Sequence, residues 1–229
     1  KKMPSIISTA KINYRQACAE SNVTDFWSVY YCRVLASIFV VMIRKTSITP
    51  NHLTYSSLAI HIIGILFLIK MNFFMAAFLI MIGQVLDAAD GQLAIIKEMK
   101  TIYGSYLDLI VDALKDLISY SVLLWLFIGT EYEIIGIISL FLVSFSLILD
   151  WVNRHIINLI KPEKEFKPSN QSFREKFGIQ FWTGPIRNFL IVICLFAKHP
   201  HWIIMYSVSI GLYLTGKRYL TLKNMISNN

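Results

Sequence analysis

At 229 residues, 55% of them hydrophobic and with a net charge of +8, the chain is more apolar than an average soluble domain, where the figure is about 45–50%. The apolar excess is gathered into runs of about 18–25 residues, the length a helix needs to cross about 30 Å of hydrocarbon, which excludes a sizeable soluble core. The basic residues lie between those runs with no basic helix interleaved with aromatics, which speaks against nucleic acid and for loops resting on an anionic lipid surface.

The chain begins Lys1-Lys2-Met3, read as the trimmed front of a longer protein, and no secretory signal fits because the first apolar run comes too late. Ser5–Ala19 predicts a short surface helix. Asp25–Arg44 has the length of a span, but Arg33 at its middle would be expensive at mid-bilayer. With Trp27, Tyr30, Tyr31 and the arginines at headgroup level it predicts an interfacial helix instead. Thr49-Pro50-Asn51 then breaks the chain. Six apolar runs follow: His52–Ile69, Phe73–Ile96, Ile102–Ile128, Tyr132–Ile160, Phe181–Ala197 and Trp202–Leu220, with the polar, basic connection Lys161–Gln180 before the fifth. The expectation is an all-α integral membrane protein, with residues 1–46 as an N-terminal arm and interfacial helix and residues 47–229 as a six-helix transmembrane domain.

Charge orients these spans. With the N-terminus inside, the inside segments carry seven, two, six and three Lys and Arg, and the outside loops carry only Lys70 and Lys198. Both termini are therefore expected on the cytoplasmic side. Cys18, Cys32 and Cys194, odd in number and without a CxxC pair, read as reduced structural thiols.

Acid interrupts two of the apolar runs. The second ends in Leu86-Asp87-Ala88-Ala89-Asp90-Gly91, and the third opens with Gly104-Ser105-Tyr106-Leu107-Asp108 and continues to Asp112. Spacings of three and four put each Asp pair on one helix face. Asp87 lies about ten residues before the Lys97–Lys100 turn and Asp112 about twelve after it, so both pairs sit at a similar depth. A short loop predicts antiparallel neighbouring helices, and with them a convergence of four carboxylates. Four buried carboxylates need protons or cations to coexist. Hard oxygen donors favour Mg²⁺ or Mn²⁺, and His52, His61, His155, His199 and His201 show no zinc spacing and read as solvent or loop residues. Gly91 and Gly104 bracket the acids, where a missing side chain lets a ligand approach the backbone. Helix packing through small residues is the alternative for each glycine taken alone.

The run Asp87-x2-Asp90-Gly91-x2-Ala94-x9-Gly104-x3-Asp108-x3-Asp112 resembles the signature of the CDP-alcohol phosphotransferases, and Thr49-Pro50-Asn51-His52-Leu53-Thr54 resembles a TPNxxT segment common in that family. The resemblance implies a two-metal Mg²⁺ or Mn²⁺ site. Asp87, Asp90 and Asp108 would be metal ligands, and Asp112 a part-time ligand and general base. Gly91, Ala94 and Gly104 would face the nucleotide, with Asn51 and Thr54 beside them. It also implies a CDP-linked lipid donor, an alcohol or alcohol-phosphate acceptor, membrane lipids as surroundings, a cytoplasmic active site and a homodimer. One position departs: Ile95 stands where the pattern has Arg, and Lys97 is about 200° away around the helix. Arg33, Arg44 or Lys100 could supply that charge from another element.

For the acceptor, Arg154, Arg187 and Lys115 are the basic candidates, since cations inside spans face a cavity or a carboxylate. Lys115 has pairing with Asp108 or Asp112 as its alternative, and Arg154 ordinary flanking charge. Two substrate readings share the motif: transfer of a phosphatidyl group from CDP-diacylglycerol to a water-soluble alcohol, and transfer of phosphocholine or phosphoethanolamine from its CDP ester to diacylglycerol. The modest length and the basic candidates favour the first. A catalytically silent relative, suggested by Ile95, stays open. A cation transporter would call for inverted repeats, and none is visible.

Overall fold

The structure, a computed structural model, describes residues 6–20, 27–160 and 184–227. Among them every regular element is helical. α1 spans Ile6–Glu20, a π-helical turn at Ser28–Cys32 runs into α2 at Arg33–Ile43, and α3 to α6 span Pro50–Ile69, Phe73–Ile96, Ile102–Phe127 and Glu133–Ile160. α7 spans Gly184–Phe196 and α8 His201–Ser227. The connection expected at Lys161–Gln180 lies outside the described residues, as do the first residues of the fifth expected run.

The helix starts follow from local chemistry. Pro50 occupies the first turn of α3, where its missing N–H does no harm. Thr49 caps that helix by accepting the His52 N–H, and His52 Nδ1 accepts the Thr49 N–H in return. Asn72 caps α4 through the Met75 N–H, and Thr101 caps α5 through the Gly104 N–H at 2.9 Å. α3, α4 and α7 each end in a left-handed residue, Met71, Glu98 and Lys198, which reverses the chain after an apolar run.

α3 is the hub. It packs along α4 and also against α5, whereas α4 and α5 make little direct backbone contact. The two acid-bearing helices are thus not the side-by-side neighbours that their short loop suggested. Small residues draw α3 onto α4: a side chain at Gly64 would meet the Ala76 carbonyl, and one at Gly83 the Ser57 carbonyl, each at 3.2 Å. On the α5 side, His61 Nε2 and Ser119 Oγ are 2.8 Å apart.

Two cores result. The larger joins Leu68, Ile80, Tyr120, Leu123, Ile191 and Ile203 at one end of the bundle. The smaller seats Ala36 and Val40 of α2 on Leu53, Ala89 and Leu93 beside the acids. α2 is held further by Gln92 Nε2 donating to the Arg33 carbonyl at 2.9 Å. Trp27 stacks between Tyr31 and Phe189 and donates Nε1–H to Gln84 at 2.7 Å.

Polarity runs opposite to that of a soluble bundle. Ser57, His61, Asp116, Ser119, Ser139, Arg187 and Ser207 are buried, while Leu66, Phe74, Phe78, Trp125, Phe141 and Ile148 are exposed. Two described helices, Pro50–Ile69 and Phe73–Ile96, are long and apolar enough to cross a membrane by length and composition.

Candidate metal centre

The N-terminal turns of α3 and α5 meet the C-terminal third of α4. A Cβ on Gly104 would lie 3.4 Å from Asn51 Oδ1 and 3.1 Å from the capping hydroxyl of Thr101. A side chain at Gly104 would crowd the point where the two helix starts meet. One turn further in, Thr54 Oγ1 donates to Asp90 Oδ2 at 2.5 Å, with both residues buried. Asp90 is thereby fixed in rotamer while remaining an acceptor.

Asp87, Asp90 and Asp108 each bring a carboxylate oxygen to within 4.8 Å of the other two. Oxygens on opposite sides of a six-coordinate magnesium are about 4.2 Å apart, twice a bond of about 2.1 Å. The three carboxylates are thus close to the spread of one coordination shell. They are hard donors, and one is braced from behind by Thr54, so the residues fit Mg²⁺ or Mn²⁺. Asp112 is not one of these three. Its side chain is 47% exposed, and its Oδ1 lies 3.5 Å from Lys115 Nζ.

Lys115 is buried one turn past Asp112 and hydrogen-bonds to Asp87 Oδ1 on the other helix. Its ammonium faces the acids. Arg187 forms a buried ion pair with Asp116, the two side chains being 1% and 2% exposed. Arg154 falls in α6, and its side chain is outside the described residues.

Gly91 is exposed, and a Cβ there would meet nothing within 4 Å. Helix packing therefore does not account for this glycine, which sits beside Asp90 on an open face. Ala94, one turn on, is half-buried. Lys97 donates from Nζ to the carbonyls of Thr46 and Ile48, both at 2.7 Å. It closes the α2–α3 connection and does not stand in for the arginine absent at Ile95.

Sequence reasoning did not single out His61, Ser119 or the partnership of Asp116 with Arg187. His61 is buried between helices, contrary to its reading as a solvent or loop residue. A signal existed. Thr54, Ser57 and His61 recur at three and four residues on α3, and Asp112, Lys115 or Asp116, and Ser119 do so on α5, marking two polar stripes that face each other.

A family profile described as CDP-alcohol phosphatidyltransferase matches residues 47–214. A protein of Aquifex aeolicus (strain VF5), itself described as uncharacterized, is 31% identical over 107 residues, covering 47% of this chain and 52% of that protein. The chain thus spans about half the length of that relative.

Proposed function

The chain belongs to the CDP-alcohol phosphatidyltransferase family, and we propose that it moves a phosphatidyl group from CDP-diacylglycerol to a water-soluble alcohol, releasing CMP. The observation that carries this reading is the convergence of the Asp87, Asp90 and Asp108 oxygens within 4.8 Å, beside a glycine whose missing side chain leaves open space.

A divalent ion held by Asp87, Asp90 and Asp108 would neutralise the donor pyrophosphate and stabilise departing CMP. Thr54 keeps Asp90 turned towards that position. Gly91 lets the nucleotide lie against the α4 backbone, with Ala94 and Gly104 as its small neighbours and Asn51 at the rim. Asp112, half-exposed at the edge of the cluster, accepts the proton of the attacking hydroxyl. The acceptor oxygen bonds to the lipid-side phosphorus as the bond from that phosphorus to the bridging oxygen breaks.

Six membrane crossings, α3 to α8, with the acids at the cytoplasmic end are the arrangement this function needs. The outward apolar side chains and the length of α5, 26 residues or about 39 Å, support it. Phosphorylated acceptors would draw on basic residues, with Arg154 as the candidate and Arg187 committed to Asp116 in this state. A homodimer in the bilayer is part of the same proposal.

The test is CMP release by purified protein with Mg²⁺ or Mn²⁺ and a panel of donors and acceptors. Release with CDP-diacylglycerol and one soluble alcohol is expected. Release only with CDP-choline or CDP-ethanolamine and diacylglycerol would replace the donor reading, and no release with any pair would leave a silent relative. Gly91→Leu is expected to leave folding intact, because the position is exposed and a Cβ there meets nothing within 4 Å, while raising the donor KM at least tenfold. An unchanged KM would remove Gly91 from the nucleotide site. Ile95→Arg restores a cation near the pyrophosphate, and a charge-assisted hydrogen bond of about 1.5–3 kcal/mol implies tenfold or tighter binding of a CDP-donor analogue. Unchanged affinity would mean that another residue already supplies that charge.

A further inference from the structure

Lys115 is a cation in direct contact with the acid cluster, and its position is specific. Its side chain is 4% exposed, it hydrogen-bonds to Asp87 on α4, and its Nζ lies 3.5 Å from Asp112 Oδ1 on its own helix. A buried ammonium needs carboxylate partners, and two carboxylates meeting at one point need a cation. Lys115 answers both needs across a gap where α4 and α5 make little backbone contact.

The four acids consequently divide into two sets. Asp87, Asp90 and Asp108 bring their oxygens close enough for one coordination shell, and Asp112 is not one of those three. Asp87 is the shared member: a carboxylate can serve an ammonium with one oxygen and an ion with the other. Resting on the metal-centre reading above, we propose that the Lys115 ammonium is a built-in cation between Asp87 and Asp112, so that the site takes one divalent ion where its four carboxylates would otherwise draw two. Lys115 is then a positioning residue. It holds Asp112 near the reacting centre without making it a metal ligand, and it stays when a chelator strips the metal.

The experiment is Mn²⁺ titration of the metal-free full-length chain in detergent, with bound ions counted by equilibrium binding and their spacing read by electron paramagnetic resonance. Wild type is expected to bind one Mn²⁺ per chain with the spectrum of an isolated ion. Lys115→Arg, which keeps the charge, is expected to bind one as well. Lys115→Gln is expected to bind two, with the signal broadened by coupling between neighbouring ions. Two coupled ions in wild type would overturn the inference while upholding the metal centre, and this count decides even if Lys115→Gln fails to fold. One ion in Lys115→Gln would overturn it too. No Mn²⁺ bound by wild type would remove the metal centre itself.

Discussion

Asp90→Asn is expected to lose CMP release by about a thousandfold while the protein stays folded. Asp90 is buried, and its Oδ2 accepts the Thr54 hydroxyl at 2.5 Å. Asparagine keeps the shape and can accept that hydrogen bond through its own carbonyl oxygen. What it lacks is charge. If metal-borne stabilisation of the transition state amounts to about 4 kcal/mol, its loss corresponds to about a thousandfold in rate. Stability provides an independent reading. Without metal, removing one charge from a crowded set of partly buried acids relieves repulsion, so the metal-free variant is expected to melt no lower than wild type. Added Mn²⁺ raises the melting temperature of wild type by binding the folded state, and that increment is expected to vanish in Asp90→Asn. Full activity in the variant, or an undiminished Mn²⁺ increment, would remove Asp90 from the metal shell.

The second large effect concerns stability. Arg187 and Asp116 face each other almost out of reach of solvent. Breaking such a pair from one side leaves a buried charge without its partner and costs about 3–5 kcal/mol. Arg187→Leu and Asp116→Leu are each expected to lower the thermal midpoint sharply, and the double variant to recover most of the loss. A double variant as unstable as the singles would show that the pair is not what the two residues contribute. Activity separates the structural role from a substrate role. If Arg187 only holds α7 against α5, the restored double variant keeps its acceptor KM. A rise in that KM confined to phosphorylated acceptors would give Arg187 a second partner during catalysis.

Much of this architecture could be read from the chain alone, for identifiable reasons. Helix bounds were legible because they are local: Thr49-Pro50, Asn72 and Thr101 sit where apolar runs begin, and each caps its own helix. The proximity of Asp87, Asp90 and Asp108 was legible because depth and face can be counted in residues from the Lys97–Lys100 turn. Which helix lies between the acid-bearing pair was not. That depends on Gly64 and Gly83 admitting α3 to close contact with α4, and a lone glycine in an apolar run does not announce its neighbour. The partners of Lys115 and Arg187 were hidden for a related reason. Sequence offers i,i+3 and i,i+4 candidates such as Asp112, whereas Asp87 reaches Lys115 from another helix and Asp116 reaches Arg187 across 71 positions. Ile95 remains a departure from the family signature that the geometry of Lys97 does not repair.

Anomalous diffraction from crystals soaked in Mn²⁺ puts the metal centre to the most direct test. A peak is expected between the carboxylates of Asp87, Asp90 and Asp108, absent from Asp90→Asn crystals grown the same way. Wild-type crystals with no peak there, or with these three side chains turned apart and ordered, would contradict it.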